Sequence, residues 1–288
     1  MSAPRLLVIE GNAAESRAEQ IAAGGVASGE GYAELLRELL PGATVDICCP
    51  ADGAVALPPG MTLDAYDGAA ITGSALHVYD GGPAVQRQID LVRAALSVGM
   101  PIFGSCWGLQ VLTAAAGGSV RKNPRGREII YGRNIRLNAG GRAHPMYAGK
   151  ADVFDAMTFH LDEVETVAPG TTVLATNAAS AVQAVELRCG TAVAWAVQYH
   201  PEYPLSEVAA IVRRAGINLV HEGFFADTEA LISYAAELDA LDRNPDDKML
   251  AGHHGIDGAV LDKPMRVREV ANWIAQRVLP TRSQRGRG

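Results

Sequence analysis

The chain has 288 residues, 48% of them hydrophobic, and its 25 Lys and Arg against 32 Asp and Glu give a formal net charge of −7. That length and apolar share suffice for a sizeable core, and the acidic balance argues against a nucleic-acid footprint. No apolar run reaches membrane-spanning length, Met1 to Arg5 lead into an apolar segment rather than a signal sequence, and Cys48, Cys49, Cys106 and Cys189 fall at neither disulfide nor zinc spacing, a pattern that predicts a cytoplasmic protein.

In chain order, Leu6 to Ile9 reads as a buried strand. Glu10 to Gly29, rich in Ala, Gly and Glu, reads as a surface insertion, with a mobile loop as the alternative. A helix over Gly31 to Leu40, strands over Thr44 to Cys48 and Ala69 to Thr72, and a helix over Ala84 to Val98 follow. Their alternation predicts an α/β fold with a doubly wound, mostly parallel sheet. Pro101 to Phe103 is a short apolar strand, and Val111 to Ala116 a helix stopped by Gly117 and Gly118. From Arg133 to Gly190 the segments shorten, as at Asn134 to Leu137 and Val173 to Thr176, which predicts antiparallel hairpins beside the main sheet. Ala192 to Val197 is another buried strand.

After His221 the character changes. Leu231, Tyr234, Leu238 and Leu241 recur at helical intervals, as do Val267, Val270, Ile274 and Val278, with Pro264 near a helix start and Pro280 after its end. The expected division is therefore 1–223 for the α/β unit and 224–288 for a C-terminal helical appendage that packs on it or forms a homodimer contact. His253 and His254 are expected in a polar connecting loop, lacking the spaced partners of a metal site. Arg282 to Arg287 read as a disordered basic end.

Gly104-Ser105-Cys106-Trp107-Gly108 carries the chemistry. Cys106 falls where a strand meets a helix, and the flanking glycines permit a sharp turn and close approach. Free amides and the dipole at the helix start favour a thiolate and can hold an oxyanion. The pattern is the cysteine counterpart of a nucleophile elbow. His200 sits just past the strand ending at Val197, and Pro201 disfavours helix there. In a parallel sheet both residues reach the crevice at the C-terminal strand ends. Glu202 is then placed to orient the imidazole.

These motifs resemble the class I, triad-type glutamine amidotransferases, most closely the amidotransferase domain of GMP synthetases and its stand-alone relatives. Gly104, Cys106, Gly108 and Gln110 match the pattern around the nucleophile, and Gln198, His200, Pro201 and Glu202 match the second signature. The likeness runs from about Arg5 to about His221. It implies a flavodoxin-like sheet, catalytic Cys106, His200 and Glu202, and an oxyanion hole from the amides of Gly73 and Trp107. Gly108, Gln110, His160 and Leu161 are the implied substrate-binding residues, His160 and Leu161 through the segment Phe159 to Val164. Two departures stand out: Ser74 replaces the second glycine of the oxyanion turn, and Phe159 stands where a small polar residue is common.

Neither metal nor cofactor is called for by thiol chemistry on an amide. No Walker or Ser-Gly-Gly-x-Asp phosphate loop occurs, so a complete synthetase is not expected. The leading expectation is a glutaminase releasing glutamate and ammonia, the latter for a separate ammonia-accepting synthetase. The alternative is a γ-glutamyl hydrolase acting on other amides or peptides. A regulatory homologue without turnover is the third reading.

Overall fold

The computed structural model describes residues 3–54 and 57–287; Met1 and Ser2 of the expected lead-in lie outside the described residues. Its strands are β1 (Arg5–Ile9), β2 (Thr44–Cys48), β3 (Gly68–Ile71), β4 (Ile102–Ser105), β5 (Ser119–Lys122), β6 (Glu128–Leu137), β7 (Val153–His160), β8 (Asp162–Thr166), β9 (Thr171–Thr176), β10 (Ala184–Cys189) and β11 (Ala192–Val197). Nine of them form one sheet in the order β2-β1-β3-β4-β11-β10-β9-β6-β7, and β5 pairs with β8 apart from it. The run from β2 to β11 is parallel, and the rest is antiparallel. The mostly parallel sheet and its neighbouring hairpins are thus as the sequence predicts.

The helices are α1 (Ala14–Ala22), α2 (Ser28–Leu39), α3 (Gly82–Ser97), α4 (Trp107–Ala115), α5 (Ala139–Ala143), α6 (Leu205–Ala215), α7 (Ile217–His221), α8 (Thr228–Arg243) and α9 (Lys248–His254), followed by the short α10 (Gly258–Leu261), α11 (Lys263–Arg266), α12 (Arg268–Trp273) and α13 (Leu279–Gln284). Among the described residues no helix is long and apolar enough to cross a membrane.

Every residue of β3, β4 and β11 is buried, as expected of strands covered on both faces. Leu7 and Ile9 pack with Val92, Trp107 and Leu112 on the α3–α4 side. Leu6 and Val8 pack on the other side with Leu36 of α2 and with Val270, Trp273, Ile274 and Val278 from the end of the chain. A Cβ at Gly68 would come within 3.0 Å of the Trp273 indole, so this glycine makes room for the ring. Because Trp273 is fully buried, Trp273→Ala should destabilise the chain by about 3–5 kcal/mol, read from the denaturant midpoint. A loss well under 1 kcal/mol would mean that the terminal helices do not support the sheet.

The same end of the chain reaches toward His200. Glu269 of α12, fully buried, lies 2.6 Å from the Lys150 Nζ and accepts from the Tyr199 hydroxyl at 2.7 Å. Tyr199 directly precedes His200, so a buried ionic contact ties α12 to the strand end that presents the imidazole.

Four local expectations are corrected. Part of Glu10 to Gly29 is the helix α1, packed on α6 through the Gln20 amide, which donates to the Glu207 carboxylate at 2.5 Å. His254 lies at the end of α9 with its side chain fully buried, rather than in a polar loop. Pro280 sits inside a helical run that continues from α12 through the π-helical stretch Ile274–Val278 into α13, instead of after a helix end. The basic end is ordered because its guanidinium groups cap backbone carbonyls and a buried carboxylate. Arg282 pairs with Asp67 at 2.9 Å, Arg285 donates to the carbonyls of Tyr66 and Val98, and Arg287 to those of Ala65 and Asp64.

Candidate active site

Cys106 stands alone between β4 and α4, with φ 53° and ψ −100°. A residue with a side chain is strained at such a φ and is held there only by its surroundings. Here the Cys106 amide donates to the Val197 carbonyl at 2.8 Å. The flanking glycines let the corner close: a Cβ at Gly104 would lie 2.7 Å from the Gly108 carbonyl carbon, and one at Gly108 would lie 2.7 Å from the Ile71 carbonyl oxygen. Because Cys106 caps the helix, α4 begins at Trp107, earlier than the apolar run from Val111 suggests.

His200 follows β11, its amide donating to the Met157 carbonyl at 2.7 Å. Its Nδ1 lies 2.7 Å from Glu202 Oε1, both side chains being almost wholly buried. Tyr203 stacks on the imidazole with ring centres 4.0 Å apart and planes 7° from parallel. Burial works against a charged imidazole, but the Glu202 carboxylate and the Cys106 sulfur outweigh it, and the His200 pKa is raised to about 10. The structure therefore brings Cys106, His200 and Glu202 together, as their sequence motifs suggest.

Gly73 follows β3 on the same edge of the sheet. A Cβ there would meet His200 Cε1 at 2.6 Å. The Gly73 carbonyl accepts from Thr72 Oγ1 at 2.9 Å and from Asn12 Nδ2 at 3.4 Å, which fixes the turn. Ser74 adds to this: its hydroxyl donates to the Gly11 carbonyl at 2.9 Å and accepts from the Leu76 amide at 3.1 Å. The serine in place of glycine is thus a brace for the loop. Among the described residues the amides of Gly73 and Trp107 make no hydrogen bond. Gly73→Ala should displace the imidazole and lower kcat about 100-fold. Unchanged kcat would show that the turn does not set the position of His200.

A cavity of about 290 Å³ opens over Cys106 and His200. Its lining includes His77, Gln110, Arg127 and the segment Phe159 to Asp162. The Phe159 carbonyl lies 3.9 Å from Cys106 Sγ, and the Arg127 guanidinium sits 5.6 Å from the Phe159 ring centre. Residues of α1, Ser28, Tyr203 and the α6–α7 corner line it as well, and Phe159 packs in the same apolar cluster as Ile211, Ala215 and Leu219.

The expected substrate-binding residues divide. Gln110 and Leu161 line the cavity. His160 lines it too, but both ring nitrogens are occupied, Nδ1 by the Asp162 carbonyl at 2.9 Å and Nε2 by Glu128 at 2.8 Å. Its ring therefore shapes the wall, with no nitrogen left for a ligand. Gly108 does not line the cavity and serves the close packing of the corner. The Trp107 indole turns away, its Nε1 donating to Gln88 at 2.7 Å, so this residue offers only its amide.

Sequence reasoning missed Tyr203, Asn12 and Glu10. Glu10 is 1% exposed and holds the amides of Asn12 and Gly29 at 2.9 and 2.6 Å, fastening the β1 loop beneath the Gly73 turn. Their common signal is position: Glu10 and Asn12 follow β1 as Gly73 follows β3, on the edge where parallel strands present ligands.

The glutamine amidotransferase class-I family matches residues 53–218. A gamma-glutamyl-L-1-hydroxyisopropylamide hydrolase from Pseudomonas sp is 33% identical over 96% of this chain and 94% of its own length. The glutamine-hydrolyzing GMP synthase of Symbiobacterium thermophilum is 35% identical over 43% of this chain, which spans only 24% of that enzyme. A solved glutamine amidotransferase from Thermotoga maritima superposes with a TM-score of 0.65 over 96% of this chain and 99% of its own, at 16% identity, a likeness of fold.

Proposed function

The chain belongs to the class I glutamine amidotransferase family, and from that premise we propose that it hydrolyses γ-glutamyl amides of small amines through a thioester on Cys106. The observation that carries this reading is the reach of the similarity. The identity to the Pseudomonas amide hydrolase extends over 96% of the chain, a share that leaves no room to omit α1 or α8 to α12, whereas the GMP synthase match covers less than half of it. Glutamine, the smallest such amide, is the second reading, favoured by the match of Gln110 and its neighbours to the family pattern. A hydrolase of this kind needs no ammonia-accepting synthetase.

In the proposed reaction His200 holds the proton and Cys106 attacks as the thiolate. Sγ bonds to the γ-carbonyl carbon, and the displaced π pair becomes an oxyanion facing the amides of Gly73 and Trp107. Collapse breaks the C–N bond as His200 gives its proton to the departing amine. Water then loses a proton to His200 and attacks the thioester, the C–S bond breaks, and glutamate leaves with the thiolate restored. Glu202 holds the imidazole through Nδ1, leaving Nε2 for these transfers. Metal and cofactor have no part in these steps.

The raised His200 pKa gives this scheme a pH signature. The imidazolium is present at neutral pH and is lost as pH rises through about 10, so kcat/KM should fall on that alkaline limb. Glu202→Gln removes the leading stabilising charge and should move the limb to lower pH. A limb unmoved in the variant would exclude Glu202 as the partner that sustains the charge.

The reading is tested by following glutamate release from glutamine and a panel of γ-glutamyl amides, with Cys106→Ala as control. Cys106-dependent release, faster from amides of small amines than from glutamine, supports it. Release from glutamine alone would make the chain a glutaminase, and silence on every amide would remove the hydrolase reading.

A further inference from the structure

We infer that His77, held by Asp162, binds the α-carboxylate of the substrate's γ-glutamyl group and so makes the chain demand an amino-acid acyl donor. The inference rests on the hydrolase reading and names what grips the acyl half of its substrate.

Every γ-glutamyl amide carries a carboxylate, whatever amine leaves, and a short methylene stem joins it to the carbon that Cys106 attacks. The other candidates for that charge around the cavity are engaged or turned away. Both His160 nitrogens are taken, and His200 Nε2 is kept for the proton transfers. Arg127 is paired with Glu222 through Nε and Nη2 at 2.9 and 3.2 Å. Arg214 of α6 reaches toward α1, donating to the Ser16 carbonyl at 3.4 Å.

His77 is placed differently. It lines the cavity, as does Asp162. Its Nδ1 lies 2.6 Å from Asp162 Oδ2, with the His77 side chain 33% exposed and that of Asp162 only 4%. Tyr79 fixes the pair, its hydroxyl donating to Asp162 Oδ1 at 2.9 Å and its ring stacked on the imidazole with centres 5.2 Å apart. Among the described residues His77 Nε2 makes no hydrogen bond. Both members of the pair belong to segments that frame the sulfur. His77 follows the Gly73 turn on a loop braced by Ser74 and by the Ala75 amide, which donates to Asn12 Oδ1 at 3.0 Å. Asp162 follows Phe159, whose carbonyl lies 3.9 Å from Cys106 Sγ.

The pairing decides what Nε2 can do. A carboxylate only accepts, so Nδ1 keeps its hydrogen, and Nε2 can donate only when the ring is an imidazolium. Asp162 and Asp80 favour that charged form against burial and the Arg127 guanidinium, and they raise the His77 pKa above the ordinary imidazole value. A substrate carboxylate thus meets a charged donor set from behind by a buried anion. As pH rises through the His77 pKa, Nε2 becomes an acceptor and the grip is lost.

The experiment measures calorimetric affinity of the Cys106→Ala protein for γ-glutamyl isopropylamide and for 4-aminobutanoyl isopropylamide, in which a hydrogen replaces the carboxylate. The same ratios are read as kcat/KM with Cys106 intact. Loss of the carboxylate is expected to weaken binding about 10-fold or more with His77 present, and less than about 3-fold in His77→Gln. The ratio should shrink as pH rises, and in Asp162→Asn it should begin to shrink at lower pH. A carboxylate effect equal with and without His77, one abolished by Arg214→Met instead, or one indifferent to pH would overturn the inference. The hydrolase reading would then still stand on Cys106-dependent glutamate release. Binding that depends on His77 and the carboxylate, with no turnover when Cys106 is intact, would overturn the hydrolase reading alone. Neither binding nor turnover of either ligand would overturn both.

Discussion

Cys106→Ala is expected to lower turnover of any γ-glutamyl amide by roughly 10⁵-fold or more, because the thioester cannot form. The position is also costly to the fold as it stands, with φ 53° on a residue that carries a side chain. Alanine retains that Cβ, so the variant keeps the backbone demand and loses only the sulfur. Substrate binding should therefore persist, readable by calorimetry with the uncleaved amide. Retained hydrolysis in this variant would remove Cys106 as the nucleophile. Lost binding would mean that the substitution had disturbed the cavity as well.

His200→Ala is expected to cost a comparable factor, of order 10⁴–10⁶ in kcat. The imidazole serves both halves of the reaction, protonating the amine and then activating water, so its loss slows acylation and deacylation alike. The two residues act as a unit, and the double variant should be hardly slower than either single one. Additive losses would show that the sulfur and the imidazole work independently. KM should move little, since neither group is assigned to the head group or the amine. Unchanged rates in His200→Ala would eliminate it as acid and base.

Much of this site is legible from sequence because its parts are local. Gly104, Cys106 and Gly108 form one turn, and the short strand before them sets where the turn falls. His200 and Glu202 lie two apart after a strand that can only be buried, and the sheet rule brings both turns to one edge. The Gly73 turn is legible in the same way. What stays hidden depends on contacts distant in sequence. Nothing in the segment around His160 shows that Glu128 and the Asp162 carbonyl consume its nitrogens, or that Gly108 serves packing against Ile71. α1 is obscured by its weakly patterned sequence, since its single buried side chain, Gln20, is polar and pairs with Glu207 far along the chain. The basic end misleads for a related reason. A run of arginines reads as solvated until Asp67 and the carbonyls around Tyr66 are known to lie beside it.

The terminal helices are the other illegible part. Their apolar stripes are visible, but which surface they cover is not. Trp273 fits over Gly68 only because β3 happens to begin with a residue that has no side chain, and Glu269 finds Tyr199 and Lys150 only in the folded chain.

A covalent γ-glutamyl enzyme on Cys106 can be trapped. The purified protein is mixed with a γ-glutamyl amide, quenched in acid within the first turnovers, digested and mapped by mass spectrometry. One γ-glutamyl group is expected on the peptide containing Cys106, removed by hydroxylamine and absent from the Cys106→Ala protein. Ongoing hydrolysis with that peptide unmodified at every quench time, or with the acyl group on another residue, would contradict it.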